Sequence, residues 1–598
     1  MDSRQKVLSA LIEAQGSALS GQALGEALGI SRAAVHRHIV ELRALQAAAA
    51  VGSRFPAGLV ARVCRMSEQD LWTWLDEAGR QGLIEHRAGD DYVFLHDRIR
   101  EAVLAGLTPD ALADLHQHIA ETLDASPSDD PAWGYAVARH GLLGRVDRAP
   151  RWLIERCLDA GRRALVDHAP AEALAFLRPL PDLAAAAGIE LGADAHEQLG
   201  VALHRVGRAQ ESVAALSTAL TLTPPADRLE RAHLHSLIAQ AHVWTWNVPA
   251  ALDAVAAALG ELRCPFPKHP LRLVGSALVR TALAPPATLV RRLLGPPSGR
   301  RLRRLRLQAR LYVLAGDVMW LCYRPDAQAL FTLLALPAGN RVGTCEEYVR
   351  IQRSLGASVE PAFNRSGARW RRRAREAADE LGDPGLVAEV AAYAAFIRVA
   401  AGGSFTDDHY LDVLTDHRRW LDVGLHVNLI AALVCEELAL GRPQAALEWH
   451  VQGQDRLGGD YSESHPFSFL GVPIAAQAGR VEEAQQRLDA ARSAPGVDHP
   501  GGEQNLLCLD ETIALTELGD HGPDFDRATT GFTSLVPRPK WIIPSNRVFY
   551  VFQAYGRVAA YRAGQADDRE RLREAATKAV AELGTLANRP VLRPHHYA

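Results

Sequence analysis

The sequence predicts a mainly all-α chain: an N-terminal helix-turn-helix, a small winged helix, then a tetratricopeptide-like α-solenoid. Three observations predict it. Short apolar-periodic segments separated by a Gly-hydrophobic-Ser turn fill residues 1–46. Helices followed by a hairpin pattern fill 47–125. Beyond them Ala, Leu and Arg recur at helical spacing, with self-similar segments of tetratricopeptide length.

Residues 3–15 predict an amphipathic helix with Val7, Leu8, Leu11 and Ile12 on one face. Gly16-Ser17 breaks it. Ser20 caps a second short helix over 21–28, and Gly29-Ile30 makes the turn, where glycine takes the positive φ of a C-cap. Ser31 caps a third helix to about Gln46. In 47–125, two or three helices are expected, one N-capped by Ser67. Leu83–Glu85 and Tyr92–Leu95 then read as a two-stranded wing around Gly89-Asp90-Asp91, followed by a helix from about Asp97. A polar stretch, 124–131, marks a boundary, and 126–190 reads as a helical connector.

The repeats occupy 191–598. Residues 196–224 fit one tetratricopeptide unit: Leu199-Gly200 and Leu203 in its first helix, Gly207 at the turn, Leu216 and Ala219 in its second, Pro224 closing it. Gly200 and Ala219 are small because the paired helices pack closely. A degenerate copy spans 232–260, with Ala239, His242, Ala251 and Ala258 in comparable places. Further copies are expected at 437–449, 469–491 and 549–580, with joints at 264–270, 295–299, 495–503 and 535–546.

Hydrophobic residues make up 48% of the 598 and charged residues 23%, which fits a folded chain and excludes a disordered one. A net charge of −4 confines any nucleic-acid contact to a local patch. Seven cysteines, never closer than C-x22-C, give neither a disulfide framework nor zinc spacing. No signal-peptide pattern is seen at the N-terminus, and Leu273–Leu294 is interrupted by Arg280, Pro285 and Pro286. A cytoplasmic protein without a membrane partner is therefore expected.

Residues 19–46, LSGQALGEALGISRAAVHRHIVELRALQ, closely resemble the N-terminal DNA-binding domain of the bifunctional biotin operon repressor and biotin–protein ligase family. The resemblance implies that the third helix is a recognition helix, with Ser31, Arg32, Ala33, His36 and Arg37 facing outward. That face suits a DNA duplex. Arg32 and Arg37 are a turn apart and can reach guanine O6 and N7, while Ser31 and the first-turn amides can hold a phosphate. The family's wing and ligase domain have no counterpart. Residues 1–46 hold five cations and four anions, a net charge of only +1. A homodimer is thus the expected DNA-binding form, and a protein-contact module is the alternative.

From residue 47 the chain is similar to the C-terminal half of STAND signalling ATPases, including the maltose-regulator-like activators. The residues that carry this are AAAAVGSRF (47–55), 81–103 and AHVWTWNVPAALDAVAAAL (241–259). The resemblance implies a nucleotide-sensing pair at His96-Asp97. A G-x-x-x-x-G-K-[ST] loop is lacking, so no nucleotide site, cofactor, metal or enzymatic activity is expected. Without a nucleotide domain, Asp97 reads more simply as an N-cap and His96 as a packed strand-end residue. The arginine runs 291–310 and 369–380 read as solvated helix faces, with nucleic acid or acidic lipid as the alternative. Trp72, Trp74, Trp244 and Trp246 read as packing residues. His36/His38 and His116/His118 are too divergent on a helix to share a metal. The functional expectation is a regulator or signalling scaffold, with DNA at the N-terminus and a protein partner in the solenoid groove. A sensor arm derived from a STAND ATPase, working through protein contacts alone, is the alternative.

Overall fold

The computed structural model describes residues 26, 29, 31–126, 131–245, 247–322, 324–359, 364–400, 404–457, 466–494, 497, 502–535, 539, 542, 544–586 and 592–597. The helices expected over 3–15 and 21–28 lie outside these residues, apart from Glu26, which is helical. So do Trp246 and the side chain of Trp244. The fold is mainly α-helical, and it divides into two compact units, Met1–Leu191 and Gly192–Ala598.

In the first unit, α1 (Arg32–Val51) leads into β1 (Arg54–Pro56), α2 (Ala57–Cys64) and α3 (Glu68–Arg80). The hairpin β2 (Ile84–Ala88) and β3 (Asp91–Phe94) follows. The sheet order is β1-β3-β2, antiparallel throughout, with Phe55 opposite Tyr92 and Ile84 opposite Phe94. This helix–strand–helix–helix–hairpin order is a winged helix. Two expectations are corrected here. The wing is three-stranded, because Arg54–Pro56 joins it, tied by an Arg54–Asp91 ion pair. The third helix runs to Val51, past Gln46, because Ala47–Ala50 are strong helix formers that pack into the core, and no breaker occurs before Gly52.

The core of this unit gathers the alanines of α1, Phe55, Leu59, Val60, Trp74, Leu75, Ile84 and Phe94, together with Ile119 and Leu123 of α5 (Pro109–Asp124). Between the wing and α5 lies α4 (Asp97–Ala105). After α5, α6 (Pro131–Leu143) and α7 (Pro150–Val166) pack in sequence, and α8 (Pro170–Leu177) and α9 (Leu180–Ala187) both pack on α7. Trp72 corrects another expectation. Trp74 is buried, whereas Trp72 is 54% exposed, since residues two apart on a helix point about 200° apart.

The second unit is built from helical hairpins. The first pairs α10 (Ala193–Arg205) with α11 (Ala209–Leu222), and the next pairs α12 (Arg228–Trp244) with α13 (Val248–Glu261). A Cβ on Gly200 would sit 2.6 Å from Leu216 Cγ, so only glycine lets α10 and α11 approach this closely. Ser212 donates to the Gly200 carbonyl at 2.7 Å across the same contact. The turn glycine Gly207 has φ +90°, and the later hairpins reuse the device at Gly441 (φ +70°) and Gly479 (φ +74°). The long helices α14 (Pro270–Leu294), α15 (Gly299–Leu321), α16 (Pro325–Val342) and α17 (Glu346–Val359) continue the array. Next come α18 (Asn364–Leu381), α19 (Pro384–Ala400), α20 (Asp408–Asp416), α21 (Val423–Ala439) and α22 (Pro443–Leu457). It closes with α23 (Gly471–Gln477), α24 (Val481–Arg492), α25 (Gly502–Leu518), α26 (Pro523–Leu535), α27 (Val548–Ala563), α28 (Arg569–Gly584) and the short α29 (Arg593–Tyr597). Alternate helices, such as α13, α15, α17 and α19, touch in series, which is how a repeat array stacks. Arg353, 5% exposed, pairs with Asp317 at 2.8 Å and with Glu389, stitching α15, α17 and α19 together.

Candidate nucleic-acid interface

The interface is built on the first half of α1. Ser31 has extended backbone (φ −66°, ψ 150°), and its hydroxyl accepts the Ala34 N–H at 3.2 Å. This is the N-cap that the sequence predicts, and Gly29 before it has φ +66°. With Ala34 committed to the cap, the amides of Arg32 and Ala33 remain for an anion at the helix start. The first turn carries no acidic residue to compete.

Ser31, Arg32, Ala33, His36 and Arg37 are all exposed, while Val35 between them is fully buried. At about 100° per residue, Arg37 lies about 100° round from His36, while Arg32 and His36 share one side of the helix. Arg43 continues that side two turns later and is also exposed, which extends the cationic strip beyond the residues picked from sequence. The periodicity of Arg32, His36 and Arg43 held the signal. His38 turns away from this strip, and its Nδ1 lies 3.2 Å from the Glu41 carboxylate. The lone acid of α1 is thereby engaged at the flank. Behind the strip, Ala44 and Ala47–Ala50 anchor the helix, and Arg100 of α4 donates to the Ala49 carbonyl at 2.9 Å.

A second helix of the first unit, α3, is opposite in charge. Ser67 caps α3 through the Asp70 N–H at 3.2 Å. The helix then offers Glu68, Asp70, Asp76 and Glu77 against Arg80. Four carboxylates and one cation repel a phosphate backbone. The turn of the wing is also occupied, since Asp90 accepts the Gly58 N–H at 2.8 Å at the start of α2.

His96 and Asp97 come together at the start of α4, but not as expected. His96 takes the N-cap position without a side-chain capping bond, and Asp97 is the first helical residue. Both are exposed, so neither the packed histidine nor the aspartate cap is present. The two histidine pairs engage separate partners. His116 Nδ1 meets His140 Nδ1 at 2.9 Å, whereas His118 Nε2 meets the Val63 carbonyl at 3.0 Å. Burial, then His116, pushes His140 down to about 4. Sequence reading missed a cluster in the second unit: ligand-type atoms of Glu197, Glu230 and His233 lie within 4.8 Å of one another. The residues come from two helices, so no linear spacing announces them. Burial, then Glu197, raises Glu230.

Residues 3–51 match the family model of an HTH domain, and the matched stretch ends where α1 ends. A solved structure from Pyrococcus horikoshii, a signal transduction ATPase with numerous domains (STAND) protein with a tetratricopeptide repeat sensor, is also similar. It shows 11% identity and a TM-score of 0.34, covering 100% of this chain and 75% of that one. No curated protein matches the chain.

Proposed function

We propose that the chain is a non-enzymatic transcription regulator that binds DNA through α1 and holds a protein partner on its helical repeats. The observation that carries this is the exposed strip of Arg32, His36 and Arg43, with Arg37 exposed on the adjoining face, at the capped start of a helix within an HTH domain. A helix of this kind enters the major groove by its N-terminal half, where arginines meet backbone phosphates as well as guanine edges and the cap region meets a further phosphate. The net charge of +1 over residues 1–46 is small, so two copies acting on two half-sites supply the phosphate contacts. The repeats serve as the partner platform, and the work is done in the cytoplasm without cofactor or metal.

The acidic α3 favours a second reading in which the first unit makes protein contacts alone, as a sensor arm. Titrating the full chain against a pool of duplex fragments decides between them. DNA binding that weakens with salt, and is lost in Arg32→Ala/Arg37→Ala, supports the regulator. Equal behaviour of wild type and variant removes it and leaves the sensor arm.

A further inference from the structure

The helix α14 carries an exposed apolar surface that no described residue of the second unit covers. Its inner side, with Leu273, Ala277 and Ala284, packs on α16. On the outer side, Leu271, Val274, Leu278, Leu289 and Leu293 recur at three- and four-residue steps, with the small Ala282 and the exposed Pro285 filling the gap. Leu271 is 85% exposed, Leu278 68% and Leu293 73%. Isolated exposed leucines are ordinary, but a stripe along 25 residues marks an interaction surface. By length and composition, α14 is the one described helix able to cross a membrane. Its packed inner side and the arginines within it, Arg280, Arg291 and Arg292, suit a helix lying on a membrane instead.

Charge says what covers it. From Leu262 to Gly316 there is no Asp or Glu, and there are twelve Lys or Arg residues. Arg306 and Arg310 turn inward to Glu347, and Arg304 donates to the Leu262 carbonyl. Lys268, Arg272, Arg292, Arg300, Arg301 and Arg303 are exposed and form no ion pair among the described residues. Lys268, Arg272 and Arg280 also line a groove of about 710 Å³ beside the helix, whose apolar wall includes Phe266 and Val279. A second copy of the chain would bring two cationic, acid-free surfaces together, which like-charge repulsion opposes. Nucleic acid would satisfy the arginines and leave the leucines in water.

We propose that α14 and the start of α15 form a peripheral membrane-docking surface for anionic phospholipid. The leucine stripe enters the acyl boundary, and the arginines and the groove take the headgroup phosphates. This departs from the expectation of no membrane partner and does not rest on the DNA reading.

The test is co-sedimentation of the full chain with vesicles of phosphatidylcholine, alone or mixed with phosphatidylglycerol, at about 0.1 M salt. Wild type is expected to bind the anionic vesicles at least about tenfold more tightly. Both Leu278→Glu/Leu293→Glu and Arg300→Ala/Arg301→Ala/Arg303→Ala are expected to lose about tenfold, with the melting transition unchanged. Arg32→Ala/Arg37→Ala is expected to bind vesicles as wild type does, which separates this test from that of the DNA reading. Absence of vesicle binding overturns the proposal. So does self-association, capture of an acidic partner protein, or DNA binding that the leucine variant abolishes while vesicles are ignored.

Discussion

Two helices of the first unit, α1 and α3, begin in the same way and end with opposite electrostatics. Ser31 and Ser67 each accept the N–H three residues on at 3.2 Å. Each helix buries one side in the same core. Yet α1 exposes Arg32, Arg37 and Arg43, while α3 exposes Glu68, Asp70 and Asp76. Capping and apolar periodicity therefore build a helix without deciding what it meets. The outer residues decide that, and in this unit they leave α1 as the helix fitted to a polyanion.

The contrast is most open to attack on the α1 side. Replacing Arg32 and Arg37 by alanine should weaken duplex binding on the order of 100-fold and reduce the slope of log affinity against log salt by about 2. Fluorescence anisotropy across a salt series measures both. A loss of affinity with no change in slope would mean that the arginines act other than through phosphate charge.

A pH series tests the body on which both helices are mounted. His140 sits at about 4 in the folded chain, against about 6.5 when unfolded. Its contribution is therefore complete above pH 6.5 and is lost as pH falls toward 4, because the unfolded chain binds the proton more readily there. The loss is about 3 kcal/mol. Hydrogen exchange in α5 and α6 should show it, and His140→Gln should flatten it. Exchange in these helices that stays constant from neutral pH down to about 4 would contradict the buried neutral pair.

The two caps should respond alike in stability and differently in binding. Ser31→Ala and Ser67→Ala should each remove about 1 kcal/mol of local stability, seen as roughly fivefold faster amide exchange at Ala34 and Asp70. Only the former should also weaken DNA binding. Least change is expected from Glu68→Gln/Asp70→Asn/Asp76→Asn, which should alter duplex affinity by less than about threefold. A large gain would place α3 against the duplex and invert the assignment.

What was legible in the sequence was local. Both serine caps, the Gly207 turn and the glycine at position 200 are set by residues a few places apart or by one close helix pair, so spacing reveals them. What escaped was non-local or ambiguous. β1 is three residues long, ends in Pro56, and gains its partner Tyr92 only in the folded chain. Ala47–Ala50 offer no stop signal, and periodicity alone does not say which of Trp72 and Trp74 is buried. The interface residues that the sequence points to are exposed, but Arg43 lies beyond the turn-and-cap motif that marks the others.

The continuity of α1 has a mechanical consequence. The helix runs without glycine or proline from Arg32 to Val51, and its alanine end is packed into the winged core. From Ala44 to Arg32 the rise is about 18 Å. A tilt of about 10° at the packed end therefore displaces Arg32 by about 3 Å, roughly one base-pair step. Any event that repacks the winged body is thus geared up at the far tip, like the short arm of a balance driving its pointer.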